Sequence, residues 1–211
     1  NLLTGKLAPD SGEIIAGHPR WCQPLRTWNA YFAEWLRTAE PKDILDLKIF
    51  FDFRPLAGKA ELAESLRAWL GNVASENKLF LRMLVANAMQ AEPPLGVIRK
   101  FRTDDGEHAG TLDLKAQGTR IFVDAARAFA LALGIAETNT SQRLRLAGRR
   151  LNIDERQMAS VVEAYHFLQM LRLRAQRGEL DAEPTGPPGG DRARSHTALN
   201  RVDPYALNDL D

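Results

Sequence analysis

The chain has 211 residues, 45% apolar and 26% charged, which suits one sizeable globular domain with tails. A net charge of +1 sets up no global field for nucleic acid or a membrane, and the single cysteine, Cys22, excludes an internal disulfide and fits a reducing compartment. The longest apolar stretch, Ala128 to Leu133, falls far short of the roughly 20 residues a membrane span needs, and Asn1 to Gly12 lacks a basic-then-apolar leader pattern, so a soluble cytoplasmic domain is expected. The chain begins at Asn1 without an initiator Met and is expected to be a fragment or a trimmed product.

Residues 1–22 contain Gly5, Pro9, Gly12, Gly17 and Pro19 with no sustained periodicity and read as a loop or the tail of a preceding domain. A first helix is predicted from Pro24 to Arg37, because Pro suits a first turn and Trp28, Phe32 and Trp35 share one core-facing side. A second is predicted from Pro41 to Phe53; beyond it Pro55 pushes Arg54 out of helical geometry and Gly58 permits a sharp turn. A third, from Ala60 to Ala74, sets Leu62, Leu66 and Leu70 one turn apart, and a fourth covers Lys78 to Met89 before Pro93-Pro94 interrupts. Arg99–Arg102 and Thr111–Leu114 flank the turn-rich Asp104-Asp105-Gly106-Glu107 and predict a short β-hairpin.

The segment 119–133 is apolar nearly all round, hence central and buried, with Arg120, Asp124 and Arg127 in one polar stripe and Gly134 as its stop. Thr140 is the expected N-cap of a short helix with Arg143 in its first turn. Asp154 is expected to cap a long helix to Arg177, whose inner face holds Met158, Val161, Tyr165 and Leu168, with Arg172 nearly on that stripe. Residues 178–200, centred on Pro187-Pro188-Gly189-Gly190, predict a flexible linker, and Asp203-Pro204-Tyr205 the start of a terminal helix truncated within 201–211. The fold class is therefore all-α: an antiparallel bundle of six or seven helices with one short β-hairpin, residues 23–177 forming the domain proper.

Charge is unevenly spread. Residues 120–177 hold 10 Arg, no Lys and 5 acids, whereas residues 178–211 hold 3 Arg and 7 acids. The planar guanidinium fork binds phosphate or carboxylate in a bidentate way, so the arginine-only segment points to an anionic ligand. The other reading is an internal ion-pair network, such as Asp124 with Arg172, that fixes helix register. His18, His108, His166 and His196 show no metal-ligand spacing, so no metal site is expected. Neither a Walker-type glycine loop nor a nucleophile elbow is present, and Cys22 reads as a buried or inert thiol.

Seven segments together resemble a known family: His18-Pro19-Arg20-Trp21-Cys22, Ile49 to Pro55, Pro93-Pro94-Leu95-Gly96, Leu112-Asp113-Leu114-Lys115, Thr138-Asn139-Thr140 before Arg143, Leu171-Arg172-Leu173-Arg174, and Asn200 to Pro204. In order over about residues 17–211, the chain resembles the C-terminal substrate-binding domain of bacterial nucleotidyltransferase-like signalling proteins. Those proteins combine it with a nucleotidyltransferase domain, paired CBS modules and often a cyclic-nucleotide-binding domain, and are related to protein-PII uridylyltransferase and glutamine synthetase adenylyltransferase. The resemblance implies a helical bundle beside a nucleotidyltransferase domain, with residues 1–22 resembling the last piece of that domain.

The family's catalytic Gly-Ser dipeptide is absent, and the one Asp-x-Asp, Asp209 to Asp211, stands in the wrong context, so this chain is expected to hold no catalytic residue. Magnesium and a nucleoside triphosphate are expected for the catalytic domain, with none in this chain. The expected substrate-binding residues are Arg54, Asp113, Lys115, Arg127, Asn139, Thr140, Arg143, Arg172 and Arg174, most of them converging on one cleft. The expected partners are the adjacent nucleotidyltransferase domain and a protein or phosphate-bearing acceptor; a membrane is not expected, and nucleic acid is disfavoured by near-zero net charge and the lack of aromatic–basic interleaving. The alternative is a non-catalytic regulatory interaction module of a signal-transduction protein.

Overall fold

A computed structural model describes residues 18–96, 100–181 and 200–207. The expected loop at 1–17, the Arg99 end of the predicted hairpin, the centre of the linker at 182–199 and the chain end at 208–211 lie outside the described residues. Among the described residues seven α-helices and a two-stranded antiparallel sheet make the chain all-α, the class its periodicity implies. Two compact units divide it, residues 1–73 and 74–211. Among the described residues no helix is long and apolar enough to cross a membrane.

In the first unit a single 3-10 turn at Pro19–Trp21 leads into α1 (Leu25–Thr38) and α2 (Pro41–Phe50), which pack on each other. The entry to α2 is fixed by the Asp43 carboxylate, which accepts the Glu40 N–H at 3.2 Å. Phe32 and Leu36 of α1 and Ile44 and Leu47 of α2 are fully buried, so the apolar faces meet as their spacing requires. The second helix stops at Phe50, three residues before the predicted Phe53, with the Phe51 N–H closing its last turn on the Leu47 carbonyl at 2.7 Å. Arg67 of α3 (Ala60–Glu76) donates to the Phe53 carbonyl and sits 5.2 Å from that ring's centroid. Cys22 is exposed rather than buried.

The second unit is organised around α5 (Arg120–Leu133), which packs against α4 (Lys78–Ala88), α6 (Thr140–Arg150) and a π-helix at Leu114–Thr119. Ala126, Leu144 and Val162 form one buried cluster, and Ala130, Ile135 and Ala147 another. Gly134 ends α5 in the left-handed region at φ 63°, a conformation with little penalty only for glycine. Gly148 lets α6 approach α7 (Glu155–Asp181) closely: a Cβ there would stand 2.9 Å from Met158 Cε.

Three local expectations are corrected. Leu112–Asp113 (β1) pairs not with residues 100–102 but with Arg201–Val202 (β2), in the register Leu112 with Val202 and Asp113 with Arg201. The 100–102 stretch is engaged elsewhere, Phe101 bridging Leu95 and the Arg102 N–H donating to the Pro94 carbonyl at 2.9 Å. After β2, Asp203–Tyr205 form a turn, with the Tyr205 N–H donating to Asp203 Oδ1 at 2.8 Å, and most of the terminal helix expected within 201–211 falls outside the described residues. The cap of α6 is Asn139 rather than Thr140, its Oδ1 accepting the Gln142 N–H at 3.1 Å, and α7 runs to Asp181, into the segment expected as linker.

Candidate functional site

Asp113 closes β1 and turns the chain. Its Oδ1 accepts the N–H groups of Lys115 at 2.8 Å and Ala116 at 2.9 Å, so it caps the π-helix that follows. A π-turn is wider than an α-turn and recurs at functional sites. Here it sets Lys115, Ala116 and Thr119 on one wall of a cavity of about 490 Å³, in the range of small-ligand sites. The wall continues along α5 with Arg120, Val123, Asp124 and Arg127, and is completed by Arg172 of α7 and Asn200.

Asp124 is 3% exposed and lies 3.4 Å from Arg120 Nε and 3.8 Å from Arg127 Nη1, a ladder that i,i+4 and i,i+3 spacing allows on one helix. Asp124, which the ion-pair reading offered as a partner of Arg172, lies instead against Arg120 and Arg127. Arg172 is half-buried and donates from Nε to Asn200 Oδ1 at 3.0 Å, and from Nη1 to Thr119 Oγ1 at 3.2 Å and Gln169 Oε1 at 3.0 Å. All three acceptors are neutral oxygens, which orient a guanidinium without cancelling its charge.

Of the residues expected at one cleft, the structure brings Asp113, Lys115, Arg127 and Arg172 together on this cavity. Asn139 and Thr140 do not line it, the first being occupied as the α6 cap. Arg143 is 2% exposed and turns back to donate from Nε to the Glu137 carbonyl, so it fastens the loop before α6. Arg174 is exposed on α7, two residues past Arg172 and on a different side of that helix. Arg54 is exposed in the first unit. Sequence reasoning missed Thr119 and Val123, which carry no spacing signal, and Asn200, which was visible only inside the resembling segment Asn200 to Pro204.

Asn200 is held beside Arg172 by its neighbour. Arg201 Nη1 donates to Asp104 Oδ2 at 2.6 Å and to Thr111 Oγ1 at 3.2 Å, and Gln117 Nε2 donates to Asp104 Oδ1 at 3.1 Å. The Arg201 hydrogen bond, aided by Gln117, holds the Asp104 carboxyl below its ordinary range against a smaller opposing effect of burial. A depressed carboxyl stabilises the fold fully above its unfolded-state pKa, and that contribution is lost as pH falls through the lower folded value. Lowering the pH from 7 to about 3 should therefore weaken this latch by under about 1 kcal/mol, the scale of a partly exposed pair. Urea midpoints across that range should fall less for Asp104→Asn than for the parent; an identical acid response would remove Asp104 from the account.

Among the described residues no three His, Cys, Asp or Glu side chains gather in a way that holds a metal ion. The family model described as "putative nucleotidyltransferase substrate binding domain" matches residues 78–211, which include the whole cavity. A second model, described as a putative nucleotidyltransferase, matches residues 3–42. No curated protein and no solved structure matches the chain.

Proposed function

This chain belongs to the family of nucleotidyltransferase substrate binding domains, and on that premise we propose that it seats the acceptor of a nucleotidyl transfer in the cavity walled by Asp113, Lys115, Arg127 and Arg172. The observation that carries this reading is that the cation-lined cavity lies wholly inside the matched span. Transfer chemistry, with its magnesium and nucleoside triphosphate, is assigned to an adjoining nucleotidyltransferase domain, and no step of it to residues of this chain. What this chain contributes is position. Arg172, oriented by Thr119, Gln169 and Asn200, fixes an anionic group of the acceptor, and holding the acceptor in place lowers the entropic part of the barrier. Arg54, Asn139, Thr140, Arg143 and Arg174 are not part of the proposed seat. A cytoplasmic signalling protein is the setting the same resemblance implies.

The test is label transfer from nucleoside triphosphates labelled at the α-phosphate, using the polypeptide that joins this chain to its nucleotidyltransferase domain, with fractionated cell extract as the acceptor source. Label should enter an acceptor, and Arg172→Ala should lower the rate about tenfold or more, the worth of a charge-assisted hydrogen bond. Arg145→Ala, an exposed site on α6, should leave it unchanged. Absence of transfer, or transfer indifferent to Arg172, overturns the reading. Binding of the neighbouring domain with no acceptor captured would favour the regulatory-module alternative.

A further inference from the structure

Charge in the second unit's cavity is out of balance. Lys115, Arg120, Arg127 and Arg172 face Asp113 and Asp124, an excess of two positive charges. Arg120 and Arg127 both lie against Asp124. Lys115 at the exposed rim and Arg172 deeper in the wall meet no carboxylate among the described residues. A guanidinium offers five N–H donors, and on Arg172 the Nη2 group makes no hydrogen bond among the described residues. A half-buried cation held only by neutral oxygens is costly until an anion arrives.

The size of the excess discriminates between anions. A carboxylate brings one negative charge, whereas a phosphate monoester carries about −1.5 to −2 at neutral pH, which matches the surplus. Volume discriminates between bearers of the phosphate, since a half-buried guanidinium lining a cavity of about 490 Å³ suits a small molecule. Ala116 and Val123 give part of the lining an apolar character that suits a short carbon skeleton. At Asp113, Oδ1 is occupied by two backbone N–H groups, and Oδ2 has no hydrogen-bond partner among the described residues. A carboxylate oxygen so placed accepts a hydroxyl.

We propose that the cavity is a phosphate-monoester site, taking a small hydroxylated molecule whose phosphate lies on Arg172 and Lys115 and whose hydroxyl is held by Asp113. This rests on the reading of the cavity as a substrate seat and not on transfer having been observed. Protein acceptors are thereby placed outside the cavity.

The test is binding to the 211-residue chain, read by 31P line broadening for glycerol 3-phosphate and inorganic phosphate and by calorimetry for glycerol. Glycerol 3-phosphate should bind saturably and more tightly than inorganic phosphate, and glycerol should not bind. Arg172→Gln should weaken both phosphates about tenfold or more. Asp113→Asn should erase the advantage of glycerol 3-phosphate over inorganic phosphate, since Asn keeps the cap but not the charged acceptor. Circular dichroism checks that Arg172→Gln is folded; if it is not, Lys115→Glu at the exposed rim takes its place and should also weaken both. No saturable binding up to about 10 mM, weaker than the weakest useful affinity of a small ligand, overturns the proposal. So does binding that neither Arg172→Gln nor Lys115→Glu alters. Arg172-dependent label transfer to a protein without phosphate-ester binding would leave the acceptor reading standing and sink this one; phosphate-ester binding without any transfer would do the reverse.

Discussion

Phe32→Ala is expected to cost the first unit about 3–5 kcal/mol, the range for a fully buried aromatic ring truncated to a methyl. Phe32 has no exposed surface and stands 5.2 Å from Trp35 in an edge arrangement, 6.0 Å from Trp28 and 6.2 Å from Phe53, measured between ring centroids. Removing it deletes both apolar burial and several ring pairs, each worth about 0.5–1.5 kcal/mol beyond area. Phe32 also lines an apolar cavity of about 320 Å³ with Leu25, Trp28, Phe50, Phe53 and Leu66, so the space left by the ring joins an existing opening and wets side chains that were dry. All four tryptophans, Trp21, Trp28, Trp35 and Trp69, lie within residues 1–73, so their fluorescence reports the first unit during urea unfolding. Leu62→Ala is the control: Leu62 borders the same cavity but is 52% exposed and should cost well under about 1 kcal/mol. Equal midpoints for the two variants would show that Phe32 does not organise this core.

Much of the fold was legible because long periodic segments dominate it. The α5 stripe of Arg120, Asp124 and Arg127 follows from spacing alone, and the structure shows it as one ladder. Asp154 caps α7 as its position implies, its Oδ1 accepting the N–H groups of Arg156 and Gln157 at 3.0 and 3.1 Å. Short-range pattern failed where a distant partner decides. Nothing local to Thr111–Leu114 shows that its strand partner lies about 90 residues on, at Arg201–Val202. The π-helix at Leu114–Thr119 was equally invisible, because Lys115, Gln117 and Gly118 follow no apolar period and the geometry depends on the Asp113 cap and the packing of α7. The site was half legible for the same reason. Cations that interrupt apolar helices, Arg127 and Arg172, stand out in sequence, whereas Thr119 and Asn200 matter only because folding brings them to Arg172. Arg143, in the first turn of the polar helix α6, is buried as well, yet its burial serves the Glu137 carbonyl. An arginine against an apolar face signals an anionic or carbonyl partner without saying which.

Asp124→Ala is expected to destabilise the second unit by about 3 kcal/mol, the lower end of what removing one member of a buried pair costs. The two arginines beside it share that cost unequally. Arg120 is 47% exposed and can turn its head into water, whereas Arg127 is 22% exposed and would be left as a mostly buried cation. If that is the origin of the loss, Arg127→Met in the Asp124→Ala background should recover most of it, because a flexible apolar side chain replaces the stranded charge, while Arg120→Ala should recover little. Urea unfolding followed by far-UV circular dichroism measures the cycle, and coupling between 124 and 127 should exceed that between 124 and 120 by about 1 kcal/mol or more. The same substitution separates stability from recognition: it raises the cavity's excess from two positive charges to three, so a folded Asp124→Ala protein should bind glycerol 3-phosphate more tightly, with the gain shrinking as salt rises. A loss below about 0.5 kcal/mol, the scale of an ordinary surface change, would mean that Asp124 is not what allows Arg127 to be buried. Weaker glycerol 3-phosphate binding in a folded Asp124→Ala protein would mean that Asp124 holds the arginines in the geometry the anion needs, and that position counts for more than net charge in this cavity.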